Sequence, residues 1–222
     1  MTGRIILVRH GQTASNIHRV IDTRPPGAEL SELGRTQAAA AGRELAAFCG
    51  ERLARMYCSV ALRAQQTAVL AGAAFEEARG LEPGTLRLDV RQGVQEIYAG
   101  DMERIAGSEN IASYLAVLHR MLADDAAAAF PNGEDTAAVL GRARPVLEFI
   151  AVELEGAERD IAMVSHGGAS RVMAAHAAGV DADWAFESRL PNTGFIVLEP
   201  DGRPFGQWDM VRWDVAERDV DA

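Results

Sequence analysis

The 222-residue chain contains no lysine; its 22 Lys+Arg positions are all arginine, set against 32 Asp and Glu. That absence excludes Schiff-base catalysis, a Walker-type phosphate loop and a Ser-Lys dyad, each of which needs a lysine amine. Positive charge is scarce as well. A formal net charge of −10 argues against general nucleic-acid binding and against docking on an anionic membrane. Any anion the protein handles must be met by a local cluster of arginines. Cysteine is nearly missing: Cys49 and Cys58 are too few for a disulfide framework or a closed zinc site, form no C-x-x-C pair, and read as half-buried core thiols. Long apolar runs are missing too. Ile5 to Val8 is stopped by Arg9 and His10, short of the roughly 7–15 apolar residues of a secretory signal. Nothing approaches the roughly 18 apolar residues of a membrane span. The chain is therefore expected in the cytoplasm.

What is present is ordinary globular material. Hydrophobic residues at 48% and charged residues at 24% argue against long disorder and fibrous repeats, and the length suits one large α/β domain. Ile5–Val8 and Ile161–Val164 are short apolar runs that end in glycine loops, the pattern of strands buried on both faces. Weaker strand signals fall at Arg55–Ser59, Leu86–Val90, Phe195–Leu198 and Phe205–Val211. Ser31 is a good N-cap for an alanine-rich helix to Phe48, terminated at Gly50. Further helices are read from Ala61 to about Glu77, from Ser108 to Ala129, from an Asp135 cap to Leu154, and from the end of the glycine loop Ser165-His166-Gly167-Gly168 to about Ala178. Pro145 inside the Asp135-capped helix predicts a kink or break. The alternation of strand and helix predicts a three-layer sandwich, a mostly parallel central sheet with helices on both faces. Residues 1–213 read as a single domain, and 214–222 as a solvated acidic tail.

Two of the five histidines occupy the same kind of place. His10 and His166 each follow a buried strand and precede glycine, so each is expected at the carboxyl edge of the sheet, where Gly lets a ligand approach the backbone. Arg9 precedes the first, and Arg63 opens the helix after Ser59, within reach of the same edge. Guanidinium forks suit phosphate, and amides at the start of the helix after His166 add donors for a dianion.

The stretch from Leu7 to Asn16 (LVRHGQTASN) resembles the R-H-G-x-T-x-x-N signature of the histidine phosphatase superfamily, the phosphoglycerate mutase-like proteins. Leu30-Ser31-Glu32-Leu33-Gly34 with Gln37-Ala38 is similar to that family's first helix, and Arg63–Ala68 to its R-A-x-Q-T-A element. Glu96 with Gly100 matches the block that holds the family's acid, Gly133-Glu134 the G-E before a later helix, and Val164–Gly168 the second histidine motif. Taken together, the likeness runs from about residue 4 to 198. Departures are Val60 for a usual proline, and Met102 and Arg104 for the tryptophan and glycine of G-x-W-E-G. They leave the identity of the substrate open.

The resemblance implies that His10 attacks phosphorus and becomes a phosphohistidine, that Arg9, Arg63 and His166 hold the equatorial oxygens, and that Glu96 is the general acid and later the base. Asn16, the Gly167 backbone and Thr23 are expected to contact substrate. The acid role asks for a carboxyl kept protonated by burial or by nearby negative charge. No cofactor and no metal are expected: the arginines beside the histidines repel a cation, and the spacing matches no zinc helix. His18 is placed near the pocket rim, His119 and His176 in structural or surface positions, and the three tryptophans in packing. The function expected is a metal-independent phosphomonoesterase acting on a small phosphorylated metabolite, with the homodimer as the commonest assembly for such chains. Two alternatives stand beside it. One is a cofactor-dependent phosphoglycerate mutase, which the short, weakly basic interval from Glu96 to Gly133 disfavours. The other is a non-catalytic domain that binds a phosphorylated ligand.

Overall fold

The structure, a computed structural model, describes residues 2–216. Its elements are β1 (Arg4–Arg9), α1 (Ala14–Ile17), α2 (Glu32–Cys49), β2 (Leu53–Ser59), α3 (Leu62–Arg79), β3 (Arg87–Arg91), α4 (Ser108–Leu122), α5 (Thr136–Leu154), β4 (Asp160–Ser165), α6 (Gly167–Ala178), α7 (Ala182–Glu187), β5 (Phe195–Glu199) and β6 (Asp209–Trp213). The alternation of side chains in the central strands sets the architecture. Ile5 and Leu7 of β1 enter one apolar cluster and Ile6 and Val8 the other, and β4 and β5 divide the same way. A sheet that is apolar on both faces needs helices on both, which gives three layers.

The strand order is β3-β2-β4-β1-β5-β6. The first four strands are parallel, β5 runs antiparallel to β1, and β6 antiparallel to β5. Register sets Arg9 opposite Ser165 and Cys58 opposite Val164, so the residues after β1, β2 and β4 emerge at one edge. On one face α2 packs closely on α3, because a Cβ at Gly42 would lie 2.1 Å from the Ala71 carbonyl oxygen. Ser31 caps α2 by accepting from Gly34 N, as its sequence position predicts. Cys49 and Cys58 are fully rather than half buried, and burial pushes their thiols up to about 12 and about 11.

Four further expectations are corrected. Helix α5 runs unbroken through Pro145. Both Pro145 and Gly141, whose carbonyl loses its donor, lie on the exposed side, while Val139, Ala143, Leu147 and Ile150 anchor the opposite face. Helix α4 stops at Leu122, not Ala129. Asp124 takes a positive φ of 55° there, and the Asp125 side chain accepts from Ala127 N, a local bond that competes with the helix. The last strand begins at Asp209, since Gly206 (φ 99°) turns the chain. Finally, the first residues of the acidic tail are tied down: Asp214 exchanges hydrogen bonds with Phe195, and Ala216 N donates to Arg189 O. The remainder of the tail, 217–222, lies outside the described residues. Among the described residues no helix is long and apolar enough to cross a membrane.

Candidate active site

His10 leaves β1 at its carboxyl end and is almost wholly buried. Its Nδ1 donates to Gly11 O at 2.7 Å, and its Nε2 accepts from Arg63 Nε at 3.1 Å. A carbonyl can only accept, so these two bonds define one neutral tautomer, with the proton on Nδ1 and the lone pair on Nε2. Burial, then Arg63 and Arg9, hold the imidazole well below its usual range. Gly11 serves packing rather than ligand approach: a Cβ there would lie 2.4 Å from the Gly34 carbonyl oxygen.

His166 is the N-cap of α6 and fully buried, with its ring centroid 5.2 Å from that of His10. Its Nε2 is hydrogen bonded to Ser59 Oγ at 2.8 Å, while Nδ1 is buried without a partner. Burial, with Arg63 next, pushes this imidazole down as well. Arg9 is held by one bond, from Nη1 to Leu190 O at 2.7 Å, and its Nε is buried and unpartnered. Arg63, opening α3, leaves Nη1 unpartnered, 3.8 Å from Asp22 Oδ2. Burial lowers both guanidinium groups from their usual value.

Glu96 faces this cluster from the loop after β3. Its carboxylate accepts from Gly168 N (3.0 Å), Ala169 N (2.7 Å) and Ile97 N (2.9 Å), so the start of α6 and its own loop fix both oxygens. Its surroundings are therefore polar and donor-rich. A second layer holds the loop. Arg142 of α5 donates to Gly93 O, Gln95 O and Glu96 O and is clamped by Glu134, whose carboxylate also accepts from Tyr98 N. That clamp gives the Gly133-Glu134 motif a physical role. Gly133 and Gly100 touch backbone to backbone: a Cβ at Gly100 would sit 1.9 Å from Pro131 O and 2.5 Å from Gly133 N.

Arg9, His10, Arg63 and Glu96 line a cleft of about 640 Å³ together with α4 and the segment 12–23, whereas His166, wholly buried beside His10, does not reach its surface. Asn16 is at its wall, with its side-chain oxygen taken by Thr13 N, which leaves the NH₂ as its free group. Gly167 lies against the Arg9 side chain, and its N–H is the first-turn amide of α6 that Glu96 does not use. Thr23 lines the cleft but turns inward, its hydroxyl bonded to Glu103 and to Ala99 N. His18 is exposed at the end of α1 and does not line the cleft. His119 pairs with Asp183 and His176 bonds Met121 O, while Trp208 and Trp213 donate to backbone carbonyls in the packed interior. Of the departures, Met102 packs against the large core cluster, and Arg104 takes a positive φ of 61°, a conformation suited to the glycine it replaces.

Sequence reasoning missed several residues. Asn192 donates to His10 O at 2.9 Å, and Arg171, Arg189 and Tyr114 also line the cleft. Because β5 is antiparallel to β1, the turn before it (Pro191-Asn192-Thr193-Gly194) returns to the carboxyl edge. The turn residues were visible in the sequence, but their destination was not. As to metals, among the described residues no group of three or more His, Cys, Asp or Glu is placed to share an ion.

Comparisons with known proteins agree with this arrangement. A family model described as the histidine phosphatase superfamily (branch 1) matches residues 5–215. A glucosyl-3-phosphoglycerate phosphatase of Mycobacterium tuberculosis is 32% identical over 95% of this chain and 91% of the relative. One from Mycolicibacterium vanbaalenii is 30% identical with the same coverage. Among solved structures, the mycobacterial glucosyl-3-phosphoglycerate phosphatase complexed with VO3 superposes with a TM-score of 0.75 at 28% identity, covering 96% of this chain and 99% of the other.

Proposed function

Because the chain belongs to the histidine phosphatase superfamily and is a phosphomonoesterase of it, we propose that it hydrolyses a small phosphorylated metabolite by way of a phosphohistidine on His10. One observation carries the mechanism. Arg9 Nε and Arg63 Nη1 are buried donors without hydrogen-bond partners, His166 Nδ1 is a buried ring nitrogen likewise without one, and all three belong to residues around His10. Buried donors left unpaired are costly, and a phosphate dianion supplies the missing acceptors.

His10 Nε2 attacks phosphorus in line while the P–O bond to the leaving group breaks. Arg9, Arg63 and the Gly167 amide hold the equatorial oxygens, where the charge of a loose transition state is spread. With Ser59 donating to His166 Nε2, the Nδ1 proton serves the same oxygens, and the Asn16 amide adds a neutral donor. Glu96 gives its proton to the departing alkoxide, then takes one from the water that cleaves the N–P bond. Thr23 acts through the wall it supports. Residues 1–213 work as one catalytic domain in the cytoplasm, as a homodimer. The substrate is of the phosphoglycerate-ester kind that the mycobacterial relatives are named for, and a −10 chain suits a small solute better than nucleic acid or membrane.

The test is phosphate release from p-nitrophenyl phosphate and 3-phosphoglycerate, with and without chelator, by wild type and His10→Ala. We expect turnover that is insensitive to chelator and abolished in the variant. Undiminished turnover by His10→Ala overturns the phosphohistidine, loss with chelator revives a metal, and isomerisation without phosphate release selects a mutase.

A further inference from the structure

The wall formed by α4 presents a phenol hydroxyl to the cleft. Tyr114 projects from α4 into the cleft beside Ile111, Leu115 and Leu118. Its ring stacks on Phe130 with centroids 5.0 Å apart and planes at 23°, which fixes where the hydroxyl points. The hydroxyl makes no hydrogen bond to the described residues. It stands next to the proposed acid: a methyl group built on Gly168 would lie 2.6 Å from Tyr114 Oη and 2.9 Å from Glu96 Oε1. Glu96 already has backbone amides on both oxygens, so it does not need the phenol to orient it.

Burial, reinforced by the Glu96 charge, pushes the phenol well above its usual range, so it remains a neutral donor wherever the enzyme works. A rigid donor that opens onto the cleft and makes no hydrogen bond within the protein is placed to meet an acceptor on the ligand. The phosphoryl oxygens already have their own donors in Arg9, Arg63 and the Gly167 amide. The oxygen that meets Tyr114 therefore belongs to the leaving group, close to the ester oxygen that Glu96 protonates.

We propose that Tyr114 is a specificity-determining residue, whose hydroxyl donates to a hydroxyl or carboxylate oxygen on the carbon adjoining the ester carbon. The substrate class is then a phosphate ester of a polyol or hydroxy acid, with the apolar α4 residues shielding that bond from water. This rests on the phosphatase reading of the same cleft.

The experiment compares kcat/KM of wild type and Tyr114→Phe on three esters: glycerol 3-phosphate (a neighbouring hydroxyl), phosphoglycolate (a neighbouring carboxylate) and n-propyl phosphate (neither). The substitution retains the stacked ring. The expected loss is roughly 3- to 10-fold where a hydroxyl is the acceptor, or roughly 10- to 100-fold where a carboxylate is, with n-propyl phosphate changed less than about twofold. Loss on glycerol 3-phosphate alone identifies the hydroxyl, and loss on phosphoglycolate alone the carboxylate; either supports the proposal. An equal fall on all three esters, or a fall on none, overturns it while leaving the phosphatase reading intact. No phosphate release by wild type from any ester overturns both.

Discussion

Arg63 Nε donates to His10 Nε2 at 3.1 Å, so the lone pair of the proposed nucleophile is occupied by a guanidinium. The same contact opposes protonation of the imidazole, second only to burial. The proposed nucleophile and the proposed phosphate holder are thus one hydrogen-bonded unit. Changing the arginine alters both rate and pH dependence.

Arg63→Ala is expected to lower kcat/KM roughly 10- to 100-fold, the worth of one or two charge-assisted bonds in the transition state. It also removes a cause of the depressed His10 pKa, so the acid limb of the kcat/KM profile moves to higher pH. Profiles measured from pH 4 to 8 on p-nitrophenyl phosphate check this. An unmoved limb would detach Arg63 from the titration of His10.

Stability carries the same signature. His10 and His166 are buried and titrate well below 6.5 when folded, so below that pH the unfolded chain binds protons that the folded chain refuses. Their contribution is complete above about pH 6.5 and is lost as pH falls from there toward the folded values, at up to about 1.4 kcal/mol per pH unit for each histidine. Urea unfolding at pH 7.0, 6.0 and 5.0 should show that decline, and a His10→Gln, His166→Gln double variant should show a shallower one.

Gly34 is as constrained as Gly11, because a Cβ on it would lie 2.0 Å from Gln12 O. Both partners are backbone and cannot swing aside. Gly34→Ala should destabilise by about 2–3 kcal/mol and displace the loop after His10, so activity falls with stability. A denaturation midpoint equal to wild type would show that α2 can shift to make room.

At Arg104 the opposite outcome is expected. The residue is exposed with a φ of 61°, and its N–H donates to Ile21 O at 2.8 Å. Arg104→Gly retains that bond and relieves the left-handed penalty, raising stability by up to about 1 kcal/mol. Differential scanning calorimetry decides it, since a lowered midpoint would mean that the arginine side chain contributes more than its backbone costs.

The sequence by itself determined the alternation of strand and helix, the burial of β1 and β4 on both faces, the two histidines at strand ends, and the arginines beside them. These are local patterns, carried by apolar runs, caps and short motifs that need no knowledge of neighbours. It misjudged Pro145 and the alanine run after Leu122, where propensity pointed one way and an exposed helix face or an aspartate turn decided the other. Only the tertiary structure decided which distant residues complete the site. Asn192 reaches His10 because β5 runs antiparallel to β1, and Tyr114 reaches Glu96 because α4 folds over the sheet edge. Strand direction and helix docking are set by burial summed over the whole core, and no short stretch of sequence contains that sum.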